Sequence, residues 1–101
     1  MRTLSDDEIS VALATLAEWE HQVDSLARLA PTDDPAGFKA TVERVAGQDA
    51  DHVAMVDTPN GVVLRVATPQ AGGVTATDVE VAARIDRAIE MGGADAAPPA
   101  P

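Results

Sequence analysis

Cysteine is absent from the 101 residues, which excludes disulfides, thiol nucleophiles and thiolate-ligated zinc. Tyrosine is absent too, and the aromatic residues are Trp19 and Phe38 alone. A core must therefore be built from Val, Leu, Ile and Ala, in a chain long enough for one modest domain. Cations are scarce: Lys and Arg total 7 against 17 Asp and Glu, for a net charge of −10. Neutralising a phosphate backbone takes clustered Lys and Arg, so nucleic acid is not an expected partner. The same charge argues against anionic membrane surfaces. No apolar run approaches the roughly 20 residues of a membrane span. The opening residues turn acidic without an apolar signal segment, so a cytoplasmic protein is the expectation. None of these absences weighs against a neutral small ligand.

What is present is a series of well-marked element boundaries. Ser5-Asp6-Asp7-Glu8 has the form of a capping box, in which the Ser5 hydroxyl accepts from the backbone N–H near Glu8 and the Glu8 carboxylate reaches back. Ile9, Leu13 and Leu16 follow at helical spacing, predicting a helix over residues 5–17. Glu18 to Gln22 and Ser25 to Ala30 read as short strands around a turn near Val23-Asp24. Pro35 suits a first helical turn and opens a longer helix whose one face carries Phe38, Val42, Val45, Ala46 and Val53. Gly47 weakens the middle of that helix by about 1 kcal/mol relative to alanine.

Asn60-Gly61, between the strands 54–58 and 62–68, predicts a hairpin, because Asn-Gly favours the positive φ angles of a type I′ turn. Val62, Leu64 and Val66 alternate with Val63, Arg65 and Ala67, as in a half-buried strand. Thr75-Ala76-Thr77-Asp78 is a second capping box; Val81, Ala82, Ile85, Ala88 and Ile89 share one face of its helix, and Gly92-Gly93 ends it. Residues 94–101, rich in Ala and Pro, have nothing to bury and are expected to be a disordered tail after a domain of residues 1–93. The order α-β-β-α-β-β-α, with hairpin-connected strands, predicts an α+β domain: a four-stranded antiparallel sheet with three helices on one face. An open sheet edge and an open sheet face favour oligomerisation.

Residues able to carry chemistry are few. His21 and the run Gln48-Asp49-Ala50-Asp51-His52 do not fix a metal-ligand geometry, and acidic runs are usually solvated surface, so no metal is expected. Gly72-Gly73 lacks the spacing and the lysine of a phosphate loop. No cofactor is implied. By itself His52 reads as a histidine near a helix end, favourable beside the carbonyls there. Asp78 reads as a cap and Thr68 as a β-former.

Read together, Leu4 to Ile9, Leu16 with Trp19, Phe38 and its helix, the Asn60 hairpin, and Thr68 through Asp78 resemble the pterin-4a-carbinolamine dehydratase family over residues 4–90. The last segment is the most specific. The family pattern is Thr-His, a short spacer, Gly-[Leu/Ile]-[Thr/Ser], two residues and Asp; this chain has Thr68-Pro69, then Gly73-Val74-Thr75-Ala76-Thr77-Asp78. In that register the family's His-His-Pro falls on Asp51-His52-Val53, its second imidazole position is kept as His52, and the histidine after Thr68 is Pro69. The aromatic residue of the third strand falls on Pro59.

The resemblance implies dehydration of a 4a-hydroxytetrahydropterin to a quinonoid dihydropterin, with imidazoles moving protons because they titrate near neutrality. It assigns acid/base work to His52, with Asp51 beside it, and contact with a pterin or another bicyclic molecule to Thr68 and Asp78. It also implies a homodimer or homotetramer joined through sheet edges. With Asp51 and Pro69 in place of imidazoles, the activity is expected to be weakened or lost. Two alternatives stay open: a non-catalytic dimerisation or assembly module, like the Rubisco assembly factor-like and transcription-cofactor members of that family, and a pocket repurposed for another small-molecule pathway.

Overall fold

The computed structural model describes residues 2–91. Its elements run α1 (Asp6–Leu13), β1 (Glu20–Gln22), β2 (Ser25–Ala30), α2 (Pro35–Ala46), a 3-10 turn (Gly47–His52), β3 (Val53–Thr58), β4 (Gly61–Val66), a short 3-10 turn (Pro69–Ala71) and α3 (Ala76–Glu90). The strands form one antiparallel sheet in the order β1-β2-β4-β3, backed by the three helices. The expected α+β architecture is therefore the one observed. The expected tail, 94–101, and the Gly92-Gly93 stop lie outside the described residues.

Alternation along β4 sets the two faces. Val62, Leu64 and Val66 are fully buried and pair across to Ala30, Arg28 and Leu26 of β2. They meet Phe38, Val42 and Ala46 of α2 and Val81, Ala82 and Ile85 of α3 in one core. Fully burying a side chain such as Leu26, Leu64, Phe38 or Ile85 contributes about 1.5–3 kcal/mol. Trp19 is buried too, and its indole N–H is satisfied by Asp86 on α3 at 2.8 Å; Arg28 of β2 donates to the same oxygen at 2.9 Å. The opposite sheet face carries Leu29 and Val56, both exposed. Among the described residues no helix is long and apolar enough to cross a membrane.

Strand ends move by one or two residues, to Glu20 for β1 and Val66 for β4, and three further boundary differences each have a local reason. The first helix stops at Leu13, not residue 17, because Thr15 and Leu16 fold back in tighter turns onto Ala12 and Leu13, and the Thr15 hydroxyl takes the Ala12 carbonyl at 3.1 Å. The second helix stops at Ala46. Gly47 adopts φ 58°, ψ −125°, a conformation that suits glycine, and the chain leaves the helix axis there. Val53 accordingly begins β3 and is not on the face of α2.

The third difference is the hairpin. Thr58 pairs with Gly61, so Pro59-Asn60 is the turn, one residue earlier than Asn60-Gly61. Proline fixes a negative φ at its first position, which excludes type I′. Gly61 is needed for another reason: its φ is 137°, and a Cβ there would collide with the Ala30 carbonyl and Pro31.

Candidate active site

Three segments converge at one end of the helix layer. The 3-10 turn after α2 ends in His52. The chain leaving β4 reaches Thr68, and α3 opens with Thr75 as its cap and Asp78 in its first turn. Backbone bonds hold the segments in place: Ala67 N–H donates to the His52 carbonyl at 2.9 Å, and an isolated bridge joins Thr68 to Gly73.

Asp78 is the centre of the cluster. Its side chain is fully buried, Thr75 and Thr68 are buried beside it, and His52 remains 13% exposed. The Thr75 N–H donates to Asp78 Oδ2 at 2.9 Å and the Thr68 hydroxyl donates to the same oxygen at 2.8 Å. Thr75 Oγ1 lies 2.8 Å from Thr68 Oγ1. His52 Nδ1 stands 3.0 Å from Asp78 Oδ1 and 3.1 Å from Thr68 Oγ1.

Donors and acceptors match around an ionised Asp78. The single hydroxyl proton of Thr68 goes to Asp78, so the Thr68 oxygen can only accept from its other neighbours. Asp78 as a carboxylate also only accepts. With Asp78 as a carboxylate, the neutral ring fits this contact with its hydrogen on Nδ1, since the other neutral tautomer would face two lone pairs at each other. That leaves the Nε2 lone pair as the basic atom of the neutral ring. A buried carboxylate holding Nδ1–H also stabilises the imidazolium that forms when Nε2 takes a proton. The arrangement fixes the direction of the imidazole through its contacts with Asp78 and Thr68.

The residues singled out by the sequence are thus placed as follows. His52, Thr68 and Asp78 share one hydrogen-bond network. Thr68 and Asp78 bond each other and His52. Asp51, next to His52 in the 3-10 turn, is exposed and forms no part of that network. Pro69 is also exposed, as the first residue of the Pro69–Ala71 turn. His21 is exposed on β1. Among the described residues no group of three or more His, Asp or Glu stands close enough to hold a metal ion. A cavity of about 420 Å³ lies between α2 and α3, lined by Arg44, Val45, Arg84, Arg87, Ala88 and Met91; one of about 190 Å³ lies between α3 and the residues after α1. Neither is lined by His52, Thr68 or Asp78.

Thr75 joins the cluster beyond its role as a cap, a role in the site that sequence reasoning missed. Its hydroxyl stands beside that of Thr68 only because the turn at Gly72, with φ 77°, folds the chain back on itself.

A model of the pterin 4 alpha carbinolamine dehydratase family matches residues 2–88. The chain belongs to this family. A provisionally named pterin-4-alpha-carbinolamine dehydratase of Nocardia farcinica is 33% identical over 86 residues, which cover 82% of this chain and 90% of that protein. A likewise provisionally named protein of Haloarcula marismortui is 33% identical over 86 residues, covering 82% of this chain and 91% of its own length. The crystal structure of a transcriptional coactivator/pterin dehydratase from Brucella melitensis superposes with a TM-score of 0.74 at 24% identity, covering 85% of this chain and 97% of that one. At that identity the likeness shows the dehydratase fold.

Proposed function

We propose that this family member binds 4a-hydroxytetrahydropterin, or a related bicyclic substrate, and accelerates its dehydration through His52 alone. The observation that carries the reading is the contact of His52 Nδ1 with the buried Asp78 carboxylate at 3.0 Å, which leaves Nε2 available as a base. In the dehydration a ring N–H gives its proton to Nε2. The C4a–O bond breaks, the electron pair leaves with the hydroxyl, and a proton from solvent completes the departing water. His52 then returns its proton to solvent. Asp78 and Thr68 orient the base. Asp51 is exposed and serves at most as a solvent-side proton relay.

Each positioned acid or base typically contributes about 10²–10⁴ in rate. A site with Asp51 and Pro69 in place of two imidazoles is therefore slower than one with all three. A cytoplasmic homodimer or homotetramer is part of the proposal. The exposed edge of β3 is its pairing surface, because an unpaired strand edge favours association.

The test is the initial rate of dehydration of 4a-hydroxytetrahydropterin with the protein against the buffer reaction. Acceleration supports the reading, and its absence overturns it. If dihydropterin still binds without acceleration, the protein binds a pterin without catalysing the reaction.

A second reading, a non-catalytic dimerisation or assembly module, draws on a separate observation. Leu29 and Val56 are 42% and 55% exposed on the helix-free face of the sheet, where a partner could cover them. A size measurement in solution that gives a monomer would count against it.

A further inference from the structure

The turn that carries His52 is fastened to α3 at a second point, distant from the imidazole. Arg84 lies on α3 beyond Asp78. Its Nη1 donates to the Ala46 carbonyl at 3.2 Å and, more weakly, to the Val45 carbonyl at 3.5 Å. Its Nη2 donates to Asp49 at 3.1 Å and to Glu80 at 2.7 Å. Ala46 is the last residue of α2, and Asp49 stands inside the 3-10 turn that ends in His52. Between them lies Gly47, where the chain breaks from the helix. Arg84 therefore spans the break, reaching the Val45 and Ala46 carbonyls before it and Asp49 after it, from the helix that also presents Asp78.

We propose that Arg84 is a positioning residue for the proton-transfer site: by clasping Ala46 and Asp49 it sets the stance of the Gly47–His52 turn against α3, and with it the approach of His52 Nδ1 to Asp78. This rests on the reading of His52 as the acid/base group. The planar fork of arginine is suited to the task. It presents donors along different edges in one rigid plane, whereas lysine is a point charge on a flexible stem. The side chain is partly buried, at 28% exposure, as is Asp49 at 23%. Glu80 binds the guanidinium from α3 itself and so holds it facing the turn. The other fastening, Ala67 N–H to the His52 carbonyl, pins the backbone of His52 from the strand side. It leaves the approach of the rest of the turn to α3 to other contacts.

The competing explanation is that Arg84 only caps the C-terminal carbonyls of α2 and adds stability. The two differ in what happens to the imidazole. Long-range ¹H–¹⁵N spectra of neutral His52 report which ring nitrogen carries the proton. The wild type is expected to show the Nδ1–H tautomer. Arg84→Gln and Asp49→Asn should each shift His52 toward a mixture of tautomers, with Arg84→Lys in between. The double substitution should go no further than the larger single one, because both cut the same link. In the dehydration assay kcat should fall by up to about 10²-fold, the scale of a misplacement of about 1 Å.

The proposal is overturned if folded Arg84→Gln and Asp49→Asn keep the wild-type ring spectrum and lose only melting temperature. It is overturned equally if the wild type is not the Nδ1–H tautomer. Should the wild type show no dehydratase activity, the proposed reaction fails, while the spectra still decide the role of Arg84. Asp49→Asn keeps the test open if Arg84→Gln does not fold.

Discussion

His52 Nδ1 lies 3.0 Å from Oδ1 of Asp78, a carboxylate with no solvent exposure on the first turn of α3. The pair joins the two halves of the site. One partner ends the turn after α2, and the other begins the last helix. A buried carboxylate is tolerable only when its lone pairs are used. Here the Thr75 N–H and the Thr68 hydroxyl serve one oxygen and His52 serves the other.

Replacing Asp78 by Asn tests this accounting. An amide has one acceptor and one donor group where the network requires two acceptors. Either His52 or the pair of threonine-side donors then faces an N–H₂. Asp78→Asn is expected to lower stability by about 1–3 kcal/mol, the cost of a buried group left without its partner. Urea denaturation measures it. An unchanged midpoint would show that the carboxylate is not holding the segments together.

Gly47 is the pivot between α2 and the turn that carries His52. Its φ of 58° with ψ −125° is poorly accessible to a residue with a Cβ, although no atom lies within 4 Å of a Cβ built there. The cost of Gly47→Ala is therefore backbone strain and not collision. We expect a loss of about 1–3 kcal/mol. A stabilised Gly47→Ala protein, as would follow if α2 simply continued through this position, would contradict the break.

The amino-terminal cap has a distinct pH signature. Arg2 binds the Glu8 carboxylate at 2.9 and 3.1 Å, and the Ser5 N–H donates to it at 2.8 Å. Together, Arg2 first, they lower the Glu8 pKa from 4.5 to about 2. A carboxyl whose folded pKa is depressed stabilises the fold above its unfolded pKa and loses that contribution as pH falls through the folded value. The cap is thus at full strength above about pH 4.5 and lost on approaching pH 2. A ¹³C titration of the Glu8 carboxyl should show this low midpoint, and Arg2→Ala should move it up. A midpoint near 4.5 in the wild type would mean that the cap does not form in solution.

In the register that the family resemblance implies, Pro69 falls on a histidine position; it is exposed as the first residue of a 3-10 turn. Nothing packs it into a core, so Pro69→His should fold. If the missing imidazole is what limits the reaction, Pro69→His raises the dehydration rate by about 10²-fold, the lower end for one positioned acid or base. An unaltered rate would place the limit elsewhere.

Much of this architecture is legible in the sequence because its signals are local. The capping box of Ser5 and Glu8 lies within one helical turn, and the alternation of Val62, Leu64 and Val66 reports the buried face of β4 directly. The end of α2 is less legible. Val53 falls in helical phase with Phe38 and Val42, so periodicity carries the helix past Gly47; only the backbone angles at that glycine reveal the break. The hairpin turn was displaced because Asn-Gly is a strong signal, but Pro59 fixes the angle at the first turn position. At the site, the family register brought His52, Thr68 and Asp78 into one hypothesis. Their mutual hydrogen bonds, and the reach of Arg84 to Ala46 and Asp49, depend on how distant segments pack, and no local pattern encodes that.

The central claim is that His52, held by Asp78, moves a proton. Comparing dehydration of 4a-hydroxytetrahydropterin by the wild type and by folded His52→Ala tests it most directly. The account predicts a wild-type rate above the buffer reaction and a fall of about 10²–10⁴-fold in the variant, or to the buffer rate if that is reached first. Equal rates for the two proteins would contradict it.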